Sequence, residues 1–230
     1  NYFQVSLSPD EGLIAHYKFE NNANDELGNY PGTNNGASFG PGKVGNAASF
    51  DGSTSISLSP LNREFPQLTI SAWVNPNYLG STNWEYVFST IKDNNNQLVF
   101  LWRDRYDGIF GARIGNKTSY TNPTTPTNLK YKNDWYYATL VYDGSLATQN
   151  IKIFVNAQLI TTSNLAGSVP IINANSYIGT SFKGLIDELR IYNRALSESE
   201  ISYLYSPPAC SESWTCSEWS SCISNLQTRT

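Results

Sequence analysis

No cysteine occurs before Cys210, the only histidine is His16, and methionine is absent altogether. A body without cysteine cannot be a disulfide scaffold or a thiolate zinc centre, so its stability has to come from a hydrophobic core. A lone histidine excludes a multi-histidine metal site and, with no serine or cysteine motif near it in sequence, reads as a surface residue. The missing methionine is expected of a processed or excised piece of a longer chain. No apolar run approaches the roughly 20 residues needed to span a bilayer. The first residues also lack the charged, apolar and small-residue order of a signal peptide. Fifteen basic and 19 acidic side chains are scattered without runs, for a net charge of −4. With no basic stripe, nucleic acid is excluded as a partner. Phosphate loops, dinucleotide fingerprints and nucleophile elbows are missing too.

What is present is 230 residues, 40% of them hydrophobic, enough for one large domain and an appendage. Residues 1–11 read as a linker. LIAHYKFE, from Leu13 to Glu20, alternates as a half-buried first strand. The Asn-, Gly- and Pro-rich stretch after it predicts an irregular loop, functional or ion-bound. Short strands then follow over 47–50, 53–58, 68–75, 85–92, 97–103 and 109–114. Further strands are predicted over 135–142, 151–155, 158–162 and 176–180, with Asn156 and Ala157 as a hairpin turn. Many short strands separated by turn signals predict an all-β sandwich. The closing strand in GLIDELRIY places Leu185, Asp187, Leu189 and Ile191 on one face by alternation, leaving Glu188 and Arg190 outward to pair with Lys18 and Glu20. Ser197 and Glu200 then make a capping box for a short amphipathic helix.

Seven segments (LIAHYKFE, the Asn-rich loop ending ELGN, AASFDGS, LTISAWVNP, WYYATLVYDGS, IKIFVNAQ and GLIDELRIYNRALSESEI) occur in an order that closely resembles the laminin-G-like, concanavalin A-like lectin/glucanase jelly roll over residues 12–205. The resemblance implies two antiparallel sheets of six or seven strands with the first and last strands adjacent. The chain departs from that pattern at Tyr136 and Tyr137, where histidines are common, and at Ala157. Residues 206–230, with SWTCSEWSSC, resemble the start of a thrombospondin type 1 repeat. Cys210, Cys216 and Cys222 beside Trp214 and Trp219 suggest a disulfide-stapled module in an oxidising compartment, the odd count leaving one partner missing. Zinc is the competing reading, with too few ligands.

Three chemistries are candidates. Calcium wants six to eight oxygens; Asp25 and Asn29 of the first loop would converge with an inward Asp187 if the first and last strands pair, and the resemblance implies a structural ion here. The alternative is that Asp25 and Asn29 make Asx-turns and that Asp187 sits at a bulge or bonds backbone amides. Asp51 and Asp143 read as turn residues. Glycan binding needs aromatic platforms edged by polar groups. Tyr78 and Trp84, with Tyr86, flank one loop, and Trp102, Arg103, Arg105 and Tyr106 form a second cluster around Asp104. Catalysis of glycoside cleavage needs two carboxylates on one cleft. The adjacent Asp187 and Glu188 point to opposite faces, so no catalytic residue is assigned. Asn116 opens one glycosylation sequon. The expected protein is therefore a non-catalytic extracellular recognition module of a larger cell-surface or secreted chain. It would bind glycan or a protein partner, the alternatives being a structural spacer and, further off, a glycoside-active enzyme.

Overall fold

The computed structural model describes residues 10–77, 84–93, 96–103, 108–116, 119–126, 131, 133–165 and 174–207, with backbone alone at 91–93, 96–103, 116 and 119–120. Numbered along the chain, the first sheet holds β1 (Leu13–Tyr17), β3 (Ser38–Pro41), β4 (Asn46–Asp51), β6 (Gln67–Pro76), β11 (Tyr136–Asp143), β12 (Ile151–Val155), β13 (Gln158–Ser163) and β15 (Lys183–Tyr192). The second holds β2 (Thr33–Asn35), β5 (Ser55–Leu58), β7 (Trp84–Asp93), β8 (Asn96–Arg103), β9 (Ile109–Asn116), β10 (Ser119–Thr121) and β14 (Ser176–Ile178). Their spatial orders are β13-β12-β11-β6-β15-β4-β3, with β1 also on β15, and β10-β9-β8-β7-β14-β5-β2. Pairing between these strands is antiparallel throughout, so the chain is the expected two-sheet jelly-roll sandwich, with β1 and β15 adjacent.

Alternation builds the core. Leu68, Ile70, Ala72 and Val74 of β6 are fully buried against Ile56, Phe88, Phe110, Ile114 and Ile178 of the facing sheet. Each large side chain so buried stabilises the fold by about 1.5–3 kcal/mol. On the opposite side of β6, Trp73 is also buried, because helix α1 (Glu198–Tyr205) covers it. Trp73, Tyr137, Phe154, Tyr192 and Ile201 make a second, smaller cluster there. Tyr137 thus serves as packing, its ring centroid 5.2 Å from that of Trp73. The helix begins at the expected capping box, the Ser197 side chain accepting from Glu200 N while Glu200 reaches back to the Ser197 backbone.

Three local features bear on the sequence reading, the second in agreement with it. The Asn-rich loop contains β2 and β3, and their exposed or half-exposed side chains carry no apolar alternation by which they could be read. Asn156 and Ala157 both take positive φ (51° and 63°), so the hairpin keeps a two-residue turn of the left-handed kind with alanine where glycine is preferred. The third is a bulge in β15. Asp187 pairs with Trp73 and Arg190 with Ser71, so Glu188 and Leu189 together oppose one residue of β6, and Glu188 sits at φ 52°. Alternation breaks there. Ile186, Leu189 and Ile191 face the core, whereas Asp187 shares the outer face with Trp73. The inward Asp187 of the simple period-two reading is therefore corrected.

Candidate functional site: the open face of the second sheet

The second sheet has a similar bulge with the opposite consequence. Tyr86 pairs with Leu101 and Phe88 with Phe100, so Val87 is the extra residue. Val87 and Phe88 both enter the core, and Tyr86 is returned to the face shared by Trp84 and Ser89. Register then carries one row straight across six strands on that outer face. Arg113 of β9 lies opposite position 99 of β8, which lies opposite Ser89 of β7; Ser89 pairs with Tyr177 of β14, Tyr177 with Ser57 of β5, and Ser57 with Thr33 of β2. At about 4.8 Å per strand, the step from Tyr177 to Arg113 is roughly 14 Å.

Among the described residues no helix covers the sheet along this row. Tyr177 is 37% exposed and Trp84 43% exposed. Ser55, Tyr86, Ser89, Tyr177 and Thr180 line a hollow of about 280 Å³, and none of these is a carboxylate. Asn35 Nδ2 donates to Ser57 Oγ at 3.1 Å, which fixes one end of the row. The Tyr86 hydroxyl is pushed above its usual pKa by burial, with the positive Arg113 nearby acting against the shift. The turn after β14 is held by Gly179, at φ +77°, where an added Cβ would meet the Phe50 ring at 2.3 Å. Beyond it Tyr86 N donates to Thr180 O at 3.0 Å, tying the two sides of the hollow. Flat ring faces, hydroxyls, one amide and a guanidinium on a rigid sheet can stack on a sugar ring and bond its edges.

Of the glycan candidates read from the sequence, Trp84 stands on this face. Trp102 and Arg103 are strand positions, opposite Phe110 and Ile109 respectively, with position 103 also opposite Trp84. Tyr78, Arg105 and Tyr106 lie outside the described residues, as do Cys210, Cys216 and Cys222. Tyr177, Arg113 and the serines were missed. Their signal was present in SYI, where Ile178 is core and Tyr177 faces out, but such a three-residue strand is read only once its neighbours are known.

The calcium candidates are each committed to backbone amides or carbonyls. Asp25 Oδ1 accepts from His16 N (2.8 Å) and Leu27 N (3.2 Å), and Oδ2 from Asn29 N (2.9 Å) and Tyr30 N (3.0 Å). Asn29 Nδ2 donates to Ile14 O. Asp187 Oδ2 accepts from Lys43 N (2.9 Å) and Val44 N (2.8 Å). Donors surround Asp25 where a cation would need oxygens, and among the described residues no group of three His, Cys, Asp or Glu is arranged to hold a metal. Asp25, Asn29 and Asp187 as a set do not fit a calcium site; Asp25 is a loop anchor. Beside Asp187, Glu188 is buried and its Oε2 meets His16 Nε2 at 2.7 Å and the Arg190 guanidinium. His16 is consequently a buried residue, 8% exposed, and Lys18 pairs with Glu26 while Glu20 accepts from Asn46 N. The expected pairs across β1 and β15 from Lys18 and Glu20 do not form.

Among curated proteins none matches the sequence. Of solved structures, domain 4 of AbnA, a GH43 extracellular arabinanase from Geobacillus stearothermophilus described in complex with arabinotriose, is 27% identical at TM-score 0.67, over 84% of this chain and 98% of that one. The receptor binding domain of botulinum neurotoxin D is 16% identical at TM-score 0.68, over 86% of this chain and 53% of that one. The binding domain of Paraclostridial Mosquitocidal Protein 1 is 15% identical at TM-score 0.70, over 86% and 52%. The chain spans about half of either toxin domain, and these two likenesses concern the fold alone. A family model of the concanavalin A-like lectin/glucanases superfamily, of the laminin G type, matches residues 50–202, and the chain belongs to that superfamily.

Proposed function

We propose that this domain is a non-catalytic carbohydrate-binding module of an extracellular protein, with its sugar site on the open face of the second sheet around Tyr177 and Tyr86. The observation that carries the reading is the transverse row. An exposed tyrosine ring stands among Ser57, Ser89 and Thr33, and Arg113 ends the row on the same face. Carbohydrate is the ligand class that needs such a mixture, an apolar ring face to stack and hydroxyl edges to bond. The likeness to an arabinanase domain described with arabinotriose supports the same class. The carboxylates nearest in sequence to a catalytic pair, Asp187 and Glu188, are buried on the other sheet and held by amides, His16 and Arg190. They are adjacent in the chain, Asp187 Oδ2 held by two amides and Glu188 Oε2 by His16 and Arg190, an arrangement that favours binding over hydrolysis.

The experiment is a glycan array, with arabino-oligosaccharides included, on the whole chain and on Tyr177→Ala, Tyr86→Ala and Trp84→Ala. Loss of a stacking ring weakens affinity by about tenfold, on the order of 1.4 kcal/mol. Identical profiles for all four proteins, or no retained glycan, would leave the domain a spacer.

A further inference from the structure

We propose that a second, independent ligand site lies on the outer face of the first sheet, and that it takes a monoanionic carboxylate borne on an apolar body. A cleft of about 390 Å³ opens there beside Trp73, between the β3–β4 turn, the bulge of β15 and the C-terminal end of α1. Its charged lining is Lys18, Lys43, Arg190 and Glu188. Glu188 is already engaged by His16 and Arg190, and Lys18 by Glu26 at 3.1 Å. Lys43 has no carboxylate partner among the described residues; its ammonium stands 4.5 Å above the Trp73 ring. In a chain of net charge −4 the cleft is thus a local concentration of positive charge with one cation awaiting a counter-ion.

The cation is held in place before any ligand arrives. Lys43 N and Val44 N both donate to the buried Asp187 Oδ2, and Gly42 N donates to Gly45 O at 2.9 Å, so the turn that carries Lys43 is pinned to β15. Gly42 is required for this approach, since an added Cβ would stand 2.7 Å from Asp187 Oδ2. Trp73 beneath it is fixed by Tyr137 and by Tyr205, whose ring centroid is 5.5 Å away. Preorganisation of this kind lowers the entropy a ligand must give up. The rest of the wall is apolar, with Val44, Leu204 and the Tyr205 ring. A carboxylate can bond Lys43 with Lys18 within reach, while its apolar body lies toward Leu204. Glu188 in the same wall disfavours a phosphate dianion more than a monoanion.

Calorimetric titration of the whole chain tests this with phenylacetate, acetate, phenethylamine, phenyl phosphate and glucuronate as probes. Phenylacetate is expected to bind at least tenfold more tightly than each of the others. Lys43→Gln should weaken it by about tenfold, Lys43→Arg should retain it, and Tyr177→Ala should leave it unchanged. Lys43 is solvent-exposed, so its replacement leaves the fold intact. Phenethylamine binding as well as phenylacetate, tighter binding of phenyl phosphate or glucuronate, absence of heat with phenylacetate, or a Lys43→Gln variant that binds unchanged would each overturn the proposal. Because Tyr177→Ala acts only on the sugar site, failure of one site is distinguishable from failure of the other.

Discussion

The two sheets of this sandwich turn nearly the same inner face to a common core and opposite kinds of outer face to their surroundings. On the first sheet the outer positions are Trp73, Tyr137, Phe154 and Tyr192, buried beneath α1. On the second they are Thr33, Ser57, Ser89, Tyr177 and Arg113, a row that no helix among the described residues covers, with small polar side chains around one half-exposed ring. The difference separates packing from recognition. An aromatic under a helix is explained by packing alone, whereas Tyr177, Tyr86 and Trp84 grouped with hydroxyls on one face form the mixed surface on which the proposed sugar site rests. Buried charge occurs on both sheets, with Asp187, Glu188 and His16 on the covered side and Glu85 of β7 accepting from Lys183 N at 3.1 Å.

The sharpest way to break the covered face is Glu188→Ala. Burial pushes the Glu188 pKa upward, but hydrogen bonding to His16 and the charge of Arg190 outweigh it and hold the carboxyl below its usual range. Its stabilisation is therefore present above the ordinary glutamate pKa and is lost as pH falls. Removing it leaves Arg190 and His16 without their anion, at a cost of about 3 kcal/mol. Urea denaturation at pH 7 measures this, and a change below about 1 kcal/mol would mean the triad is solvated.

Asp187 has the opposite sign. Burial raises its pKa to about 6, with amide donation from Val44 acting against the shift and the Glu188 charge adding to it. A raised carboxyl contributes stability that is full below the usual value of 3.8 and is lost as pH rises through about 6. The difference corresponds to about 3 kcal/mol at most. Asp187→Asn should remove this slope, so that the stability difference between variant and parent shifts in the variant's favour from pH 4 to pH 6.5. Parallel curves over that range would show that Asp187 titrates normally.

The smallest effect expected is that of calcium. With Asp25 saturated by amides, millimolar calcium or a chelator should leave the melting temperature unchanged. A calcium-dependent rise that Asp187→Ala abolishes would restore the ion to the first loop.

Much of the fold was legible from local pattern. LTISAWVN alternates, and the structure buries Leu68, Ile70, Ala72 and Val74 as that alternation requires. Ser197 and Glu200 marked the helix start because a capping box is wholly local. A bulge at Asp187 is among the alternatives the sequence offers, whereas the one at Val87 was not legible. One extra residue at Val87 and one at Glu188 reverse which face follows, and whether a strand takes a bulge depends on its partners rather than on its own sequence. Simple alternation therefore puts Asp187 inward and leaves Ser89 without a readable face. His16 looked solitary for the same reason, since Glu188, its partner, is 172 positions away.

The open face is tested most directly by one comparison, the glycan-array profile of the chain against that of Tyr177→Ala, with thermal unfolding run alongside. The account predicts at least one glycan bound by the parent, weakened tenfold or more in the variant, while the melting curve stays put because Tyr177 lies outside both hydrophobic clusters. An unchanged glycan profile, or a loss of binding that follows only from unfolding, would contradict it.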